Sequence, residues 1–388
     1  MSYYRQPEFY RSFRCMGGKC PGTCCAMWTI NWKSEEVERL KNADCSPELR
    51  ALIDSSFMAS KDKDTMWVDL KKENGMKCPL QDENGLCRIQ KELGEEYLSK
   101  VCKQYPRANI VGSNAVFRTC CASCPAVMDI LLKDENAMRL VSAPIEVEHQ
   151  SVLGNKDTYD LLKKHPELKH RGEILDFFFD IIENKNRPLE VSLLLGALAA
   201  QKLTEFVNKG QADRIPEAIK ALRPQLNRDN IPAFDNAVPD PQINPGFIAE
   251  LTDAFSSTSL LNDLMEGDVL ILSRCAEGRK IADDFLADKP YFMRNLALNM
   301  FMTGGLPFMV CDESIFMNYS YFVSTVCSAR FILRASAYSQ GKVNQEVLSI
   351  LCYYIRGMYH NSKRVPGIMD IIKEKGCTSP AFLALLLK

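Results

Sequence analysis

The chain has 388 residues, with 48 Lys and Arg against 49 Asp and Glu for a formal net charge of −1, and 46% of its residues are hydrophobic. That length allows one large or two ordinary domains with cores of their own, and the balanced charge gives no global basic field for nucleic acid or an anionic membrane surface. Sixteen cysteines stand out against this background. Disulfide frameworks belong mainly to small exported domains, whereas the opening MSYYRQPEFYRSFRC lacks the basic start and apolar run of a signal peptide. The longest apolar stretch, Val191 to Ala200, is far shorter than the roughly 20 residues a membrane-spanning helix needs. The expectation is a cytoplasmic protein, with membrane contact only through an amphipathic surface.

In chain order, the first part is broken by turn signals: Gly17-Gly18, Pro21-Gly22, Asn74-Gly75, Asn84-Gly85 and Tyr105-Pro106. Short elements fit between them. Ser34 to Asn42 reads as a helix opening on a serine cap followed by glutamates, Met66 to Leu70 as a short strand, and Arg88 to Gln104 as a helix. Such a region has little periodic apolar surface, and metal ligation would supply order that packing does not.

From about residue 150 the pattern is helical. Ile174, Phe177, Phe178, Ile181 and Ile182 follow one helix face. Asn186-Arg187-Pro188 breaks the chain, and Pro188 suits the first turn of a helix running to about Asn208. Further helices are expected at Ile215–Leu222, Pro245–Phe255, Leu260–Leu286, Pro290–Met302, Ile315–Ala337 and Asn344–Asn361, and Arg223 to Pro245 reads as a long loop. Gly304-Gly305 is expected to end a helix. The Phe177-Phe178-Phe179 run and the scattered Cys275, Cys311, Cys327, Cys352 and Cys377 read as core. The expected fold is therefore mainly α. A cysteine-rich metal-cluster domain with short irregular elements covers residues 1–140, and an all-α helical domain covers 141–388.

The other eleven cysteines lie before residue 125. Cys15-x4-Cys20-x3-Cys24-Cys25 is followed by Cys78, Cys87, Cys102 and Cys124, with Cys45, Cys120 and Cys121 making up the eleven. Thiolates two to four residues apart in a Gly- and Pro-shaped turn can converge on one metal centre. Cys24 and Cys25 are adjacent, so their side chains are expected to diverge, one towards a metal and the other towards a second site or the core. The four histidines, His149, His165, His170 and His360, all lie outside this region. All-thiolate ligation suits zinc or an iron–sulfur cluster. The spacing is neither a paired CxxC zinc ribbon nor the CxxxCxxC triplet of radical S-adenosylmethionine enzymes. Spacing alone leaves zinc and iron–sulfur level, with buried structural thiols as the bland alternative.

Phe13-Arg14-Cys15, Cys20, Cys24-Cys25, Trp28, Cys78-Pro79-Leu80, Leu86-Cys87-Arg88-Ile89, Gly94, Cys102, Tyr105-Pro106-Arg107 and Ser123-Cys124-Pro125 together resemble the flagellin lysine-N-methylase family. Asn295 to Phe308 and Arg356 to Asn361 are similar to that family's C-terminal half, and the cysteine order is also similar to a broader group of zinc- or iron-chelating cysteine-rich proteins. The sequence departs from the family pattern at Ala126, where Glu is usual, and in having Cys120 and Cys121 as extra thiols.

The resemblance implies S-adenosylmethionine-dependent methylation of surface lysines on flagellin in the bacterial cytosol. It further implies an oxygen-sensitive 4Fe–4S cluster held by the cysteine-rich region, with Cys15, Cys20, Cys24, Cys25, Cys78, Cys87, Cys102 and Cys124 as the candidate ligand set and zinc as the alternative metal, and peripheral membrane association as a homo-oligomer. The Gly-rich turn of a doubly wound nucleotide-binding sheet is absent, so the cluster itself becomes a candidate donor-binding element, against a cluster or zinc that only braces the N-terminal domain while substrates bind in the helical part. Two readings from other classes stand beside this one: a protein that sequesters or delivers metal, and a zinc-braced interaction module. Among single residues, Arg107 reads as an ordinary exposed turn residue, with offset of thiolate charge as its functional alternative, Trp28 and Trp32 are expected in the core beside the first cysteines, and His360 reads as a helix-end cation rather than a base.

Overall fold

A computed structural model describes residues 3–26, 30–60, 64–70, 77–112, 115–144, 162–227, 229–235, 276–308, 313–360 and 365–388. The chain forms two compact units. One comprises residues 13–108 and 124–126, and the other comprises 1–12, 109–123 and 127–388. The cysteine-rich unit is thus shorter than the expected 1–140, because the first strand, β1 (Tyr3–Pro7), and the segment 109–123 belong to the helical unit.

The cysteine-rich unit is built on a small antiparallel sheet and paired helices. β2 (Asn31–Lys33) leads into α1 (Ser34–Lys41), then α2 (Pro47–Ser56), β3 (Phe57–Ala59) and β4 (Thr65–Val68), with strand order β2-β4-β3. Val37 and Leu40 lie on one face of α1, and with Leu49 and Ile53 of α2 they join Ile30, Trp32, Val68, Leu80, Ile89 and Leu98 in a buried apolar cluster. The unit therefore has a hydrophobic core of its own, contrary to the expectation that apolar packing would be too thin. Trp32 meets Phe57 edge-on within this core, as its core reading requires.

Ser34 is the first residue of α1 rather than its cap; Lys33 caps it, and its N–H donates to the Glu36 carboxylate at 2.9 Å. The second oxygen of Glu36 accepts from the Lys100 N–H at 3.0 Å. The helix expected over Arg88–Gln104 is broken into α3 (Arg88–Glu92), a single 3-10 turn at Glu95–Tyr97, and α4 (Lys100–Gln104). Gly94 at φ +93° makes the break, since a left-handed backbone there favours glycine. Ser99 then starts α4 by accepting the Cys102 N–H at 3.1 Å.

The helical unit carries a sheet that the sequence pattern did not disclose. β5 (Arg107–Val111), β6 (Ala115–Cys120), β1 and β7 (Leu140–Pro144) lie in that order, with β1 parallel to β6 and antiparallel to β7. Between β6 and β7 runs α5 (Pro125–Lys133). Then come α6 (Arg171–Glu183), α7 (Leu189–Asn208), α8 (Ile215–Gln225), α9 (Pro232–Asp235), α10 (Ala276–Asp288), α11 (Phe292–Gly304), α12 (Ile315–Gln340), α13 (Gln345–Tyr359), α14 (Val365–Glu374) and α15 (Pro380–Leu387).

The 26-residue α12 is buried over most of its length and packs against α7, α10, α13 and α15. Its Tyr319 and Phe322 join Phe178 and Phe301 in one aromatic cluster, with ring centres 5.0 to 6.4 Å apart. Phe177, Phe178 and Phe179 are all buried, as are Cys327, Cys352 and Cys377.

Most helix ends follow their chemistry. Ser314 accepts from the Met317 N–H at 3.1 Å to cap α12, and Asn344 accepts from the N–H groups of Glu346 and Val347 at 3.0 Å to cap α13. Gly305, at φ +64°, closes α11. Three departures occur. α8 runs through Pro224 into the expected loop, α9 forms inside that loop, and α14 and α15 add two helices beyond the expected set. The expected helix at Pro245–Phe255, the first part of Leu260–Leu286, Trp28, Cys275 and Cys311 lie outside the described residues. The fold is mainly α, with its short strands concentrated before residue 145. No helix among the described residues is long and apolar enough to cross a membrane.

Candidate functional site

Within the cysteine-rich unit, loop 13–26, the turn around residue 85 and the segment 95–107 enclose a cavity of about 450 Å³. Two glycines let these loops close on one another. A Cβ on Gly18 would lie 2.4 Å from the Asn84 carbonyl oxygen, so only glycine fits that approach, and Gly85 takes φ +76° in the facing turn. Asp82 fixes that turn by accepting from the N–H groups of Asn84 and Leu86, both at 2.9 Å, and from Lys91 Nζ at 2.8 Å. Lys91 and these backbone donors hold its carboxyl below the usual range. Gln81 Nε2 donates to Thr23 Oγ1 at 3.1 Å, and the same hydroxyl accepts the Cys25 N–H at 3.1 Å, which ties the two cysteine loops together.

Seven of the eight thiols expected as ligands line this one cavity: Cys15, Cys20, Cys24, Cys25, Cys87, Cys102 and Cys124. The eighth, Cys78, is buried beside it. Its N–H donates to the Cys25 carbonyl at 2.7 Å, and its thiol lies in the field of Cys24, Cys87 and Cys102. Cys24 and Cys25 do not diverge as expected. Their sulfurs are 4.0 Å apart and face the same space. The other early cysteines stand elsewhere: Cys45 packs against the apolar cluster, and Cys120 and Cys121 are buried in the helical unit.

The thiols raise one another's cost of ionisation. A hydrogen bond with Cys24, burial, and the fields of Cys24, Cys78 and Cys102 push the Cys25 thiol far above its ordinary value. Burial first and neighbouring thiols second push Cys78 up to about 12 and Cys102 up to about 11. Cys87 is raised chiefly by burial. Such a group ionises together only when a cation neutralises it.

The donor set therefore suits a thiophilic metal. Among the described residues, no three His, Cys, Asp or Glu side chains converge on a single point as ready metal ligands. The sulfurs surround a volume instead. A mononuclear zinc needs four donors about 2.3 Å from one centre, whereas a polynuclear cluster spreads its thiolates over several irons.

Three basic side chains, Arg14, Lys103 and Arg107, also line the cavity, and the Arg107 guanidinium stands 5.6 Å over the buried Phe13 ring. Glu95 is the single carboxylate among the described lining residues. Glu95 carries no signal in the residue pattern; it joins the cavity lining from the 3-10 turn that follows the break at Gly94.

His360 caps the end of α13 in the helical unit, as expected of a helix-end residue, but not as a cation. Its Nε2 lies 3.1 Å from Ser123 Oγ, and burial of the ring together with the charge of Arg356 lowers it to about 4. It is neutral at pH 7.

The family model for the FliB lysine N-methylase C-terminal domain matches residues 175–386. The lysine-N-methylase of Salmonella typhimurium (strain LT2) is 26% identical over 262 residues, which cover 66% of this chain and 62% of that protein. The lysine-N-methylase of Salmonella choleraesuis (strain SC-B67) gives the same figures. The flagellar biosynthetic protein FliU of Salmonella muenchen is 32% identical over 137 residues, 35% of this chain and 80% of FliU. The chain thus spans less than two thirds of the length of the lysine-N-methylases it matches. No solved structure matches.

Proposed function

Because the chain belongs to the FliB lysine N-methylase family, whose C-terminal domain occupies more than half of its length, we propose that it is a protein-lysine methyltransferase. In this reading it uses S-adenosylmethionine to methylate surface lysines of flagellin, with a 4Fe–4S cluster in the thiol-lined cavity. The relatives named lysine-N-methylase support the reaction, and the flagellar name of FliU supports the substrate. The observation that carries the site is the meeting of seven cysteines from four separate stretches of sequence around one cavity.

Cys24, Cys25, Cys87 and Cys102, each partly buried and lining the cavity, would hold the cluster, with Cys15, Cys20, Cys78 and Cys124 around them. A cluster held by only three of these four thiols would leave one iron open to the amino and carboxylate groups of the methyl donor. The chain's own residues meet the remaining demands. Arg107 and Lys103 offset the thiolate charge, and Phe13 and Leu98 keep water from the inner wall. A lysine side chain, with an ordinary pKa near 10.4, must lose a proton before it can attack a methyl group. Glu95 is placed to accept that proton.

Anaerobic purification followed by incubation with labelled S-adenosylmethionine and flagellin tests this reading. Mass spectrometry should find methylated flagellin lysines, and replacing Cys24, Cys25, Cys87 or Cys102 singly with serine should lower both iron content and methylation. Folded, iron-free protein that methylates at the parent rate would remove the cluster from the reaction; iron-loaded protein that methylates no lysine would remove the reaction itself.

A further inference from the structure

The helical unit holds a second and larger cavity, a cleft of about 820 Å³ formed by α7, α10, α11 and α12. Clefts of roughly 300–1,000 Å³ with apolar walls and a few polar groups are the usual seats of small organic molecules. Its apolar lining comprises Leu189, Leu193, Leu286, Met293 and Val326, with the Tyr291 ring. Its charged lining is mostly cationic. Lys185 is matched by Glu135 at 2.9 Å, which leaves Arg187, Arg294, Arg330 and Arg334 facing Glu190 and Asp283.

The four arginines divide by what they touch. Arg187 and Arg294 are buried and spend their donors on the fold, on the carbonyls of Ile181, Leu226 and Ile182 and on Ser192 Oγ. Arg330 and Arg334 stand one helical turn apart on α12. Arg330 donates to Glu190 at 2.8 Å and to the Leu387 carbonyl at 2.9 Å. Arg334 gives one bond, to the exposed Asp283 at 3.1 Å, and its Nε is buried with no acceptor among the described residues. A buried guanidinium donor without an acceptor is costly to leave that way. Burial and then Arg330 depress Arg334, while burial depresses Arg294 with Glu190 opposing and Arg187 adding to it. Arg187, Arg294, Arg330 and Arg334 against Glu190 and Asp283 leave positive charge over in the cleft.

We propose that this cleft binds a small organic anion, its apolar or aromatic body against the Leu193, Met293 and Val326 side chains and its carboxylate or phosphate on Arg330 and Arg334. Excess cationic charge together with apolar lining side chains is what such an amphiphile requires. The site shares no residue with the thiol-lined cavity, and its occupant is separate from the methylation chemistry proposed above.

Anilinonaphthalene sulfonate, an aromatic body with one anionic group, is a direct probe. The full chain should bind it saturably at one site, and octanoate or adenosine monophosphate should displace it while neutral octanol does not. Displacement by octanoate identifies a carboxylate ligand, and displacement by the nucleotide identifies a phosphate. Ala287 lies on the exposed rim, so Ala287→Trp narrows the cleft without disturbing the core. That variant and Arg334→Gln should each weaken binding by about tenfold or more, with parent-like circular dichroism. Unchanged affinity in either folded variant, displacement by neither anion, equal displacement by octanol, or no saturable binding to the parent overturns the proposal.

Discussion

Glu95 places a carboxylate on a cavity whose other charged lining residues among those described are basic. Loss of a positioned general base typically costs about 10²–10⁴ in rate. Glu95→Gln should therefore slow lysine methylation by about that factor at neutral pH, with iron content at the parent level. If the rate is parent-like, another group takes the proton. His360 makes a different prediction at the same scale. Its folded pKa of about 4 lies below the unfolded value near 6.5, so the unfolded chain binds more protons between those limits. Stability is then full above about pH 6.5 and falls as pH drops towards about 4, where the loss is complete. Denaturant midpoints across that window should show the slope in the parent and a flatter profile in His360→Gln. Identical slopes would assign the acid sensitivity to other groups.

Two glycines govern how elements approach one another. Gly196 on α7 leaves room for Tyr319 of α12, whose hydroxyl oxygen would lie 1.9 Å from an added Cβ. Overpacking of this kind costs about 1–3 kcal/mol, so Gly196→Ala should lower unfolding free energy by that amount in a denaturant titration without touching the cysteine loops. Gly18→Ala should do the converse, because the atom met at 2.4 Å is the backbone oxygen of Asn84 and the two loops must part. Its effect should appear as reduced iron loading, while the helical circular dichroism stays at the parent value. The same features explain what the sequence could disclose. That the early cysteines form a group was legible because residue type and spacing mark it whatever the backbone does. The convergence of Cys24 and Cys25, and the presence of Glu95, depend on backbone conformation at Gly18, Gly85 and Gly94, which no side-chain pattern encodes. α13 was legible because it repeats its apolar face over many turns, and α7 and α12 because long apolar-rich stretches run between chain-breaking signals. The strands β1, β5, β6 and β7 were not, since each is at most six residues long and β1 finds its partners over a hundred residues away.

At the scale of the whole molecule, the two units are stabilised by different means. The helical unit buries an aromatic cluster and long helices, which need no metal. The cysteine-rich unit has an apolar core under α1, α2 and the β2-β4-β3 sheet, but its thiol loops lie at the margin of that core, with Cys25, Cys87 and Cys102 only partly buried against it. Ligand bonds to a metal are folding energy for the segments that supply them. Stripping the metal with a chelator should therefore loosen segments 13–26, 77–88 and 100–107, while α1, α2 and the helical unit keep their order. Hydrogen exchange read by mass spectrometry resolves these segments. Protection lost in the three thiol-bearing segments alone would place the metal's stabilisation there. Protection lost throughout residues 30–68 would mean that the apolar core does not hold this unit without metal, and unchanged protection everywhere would mean that the thiols hold no metal that matters to the fold.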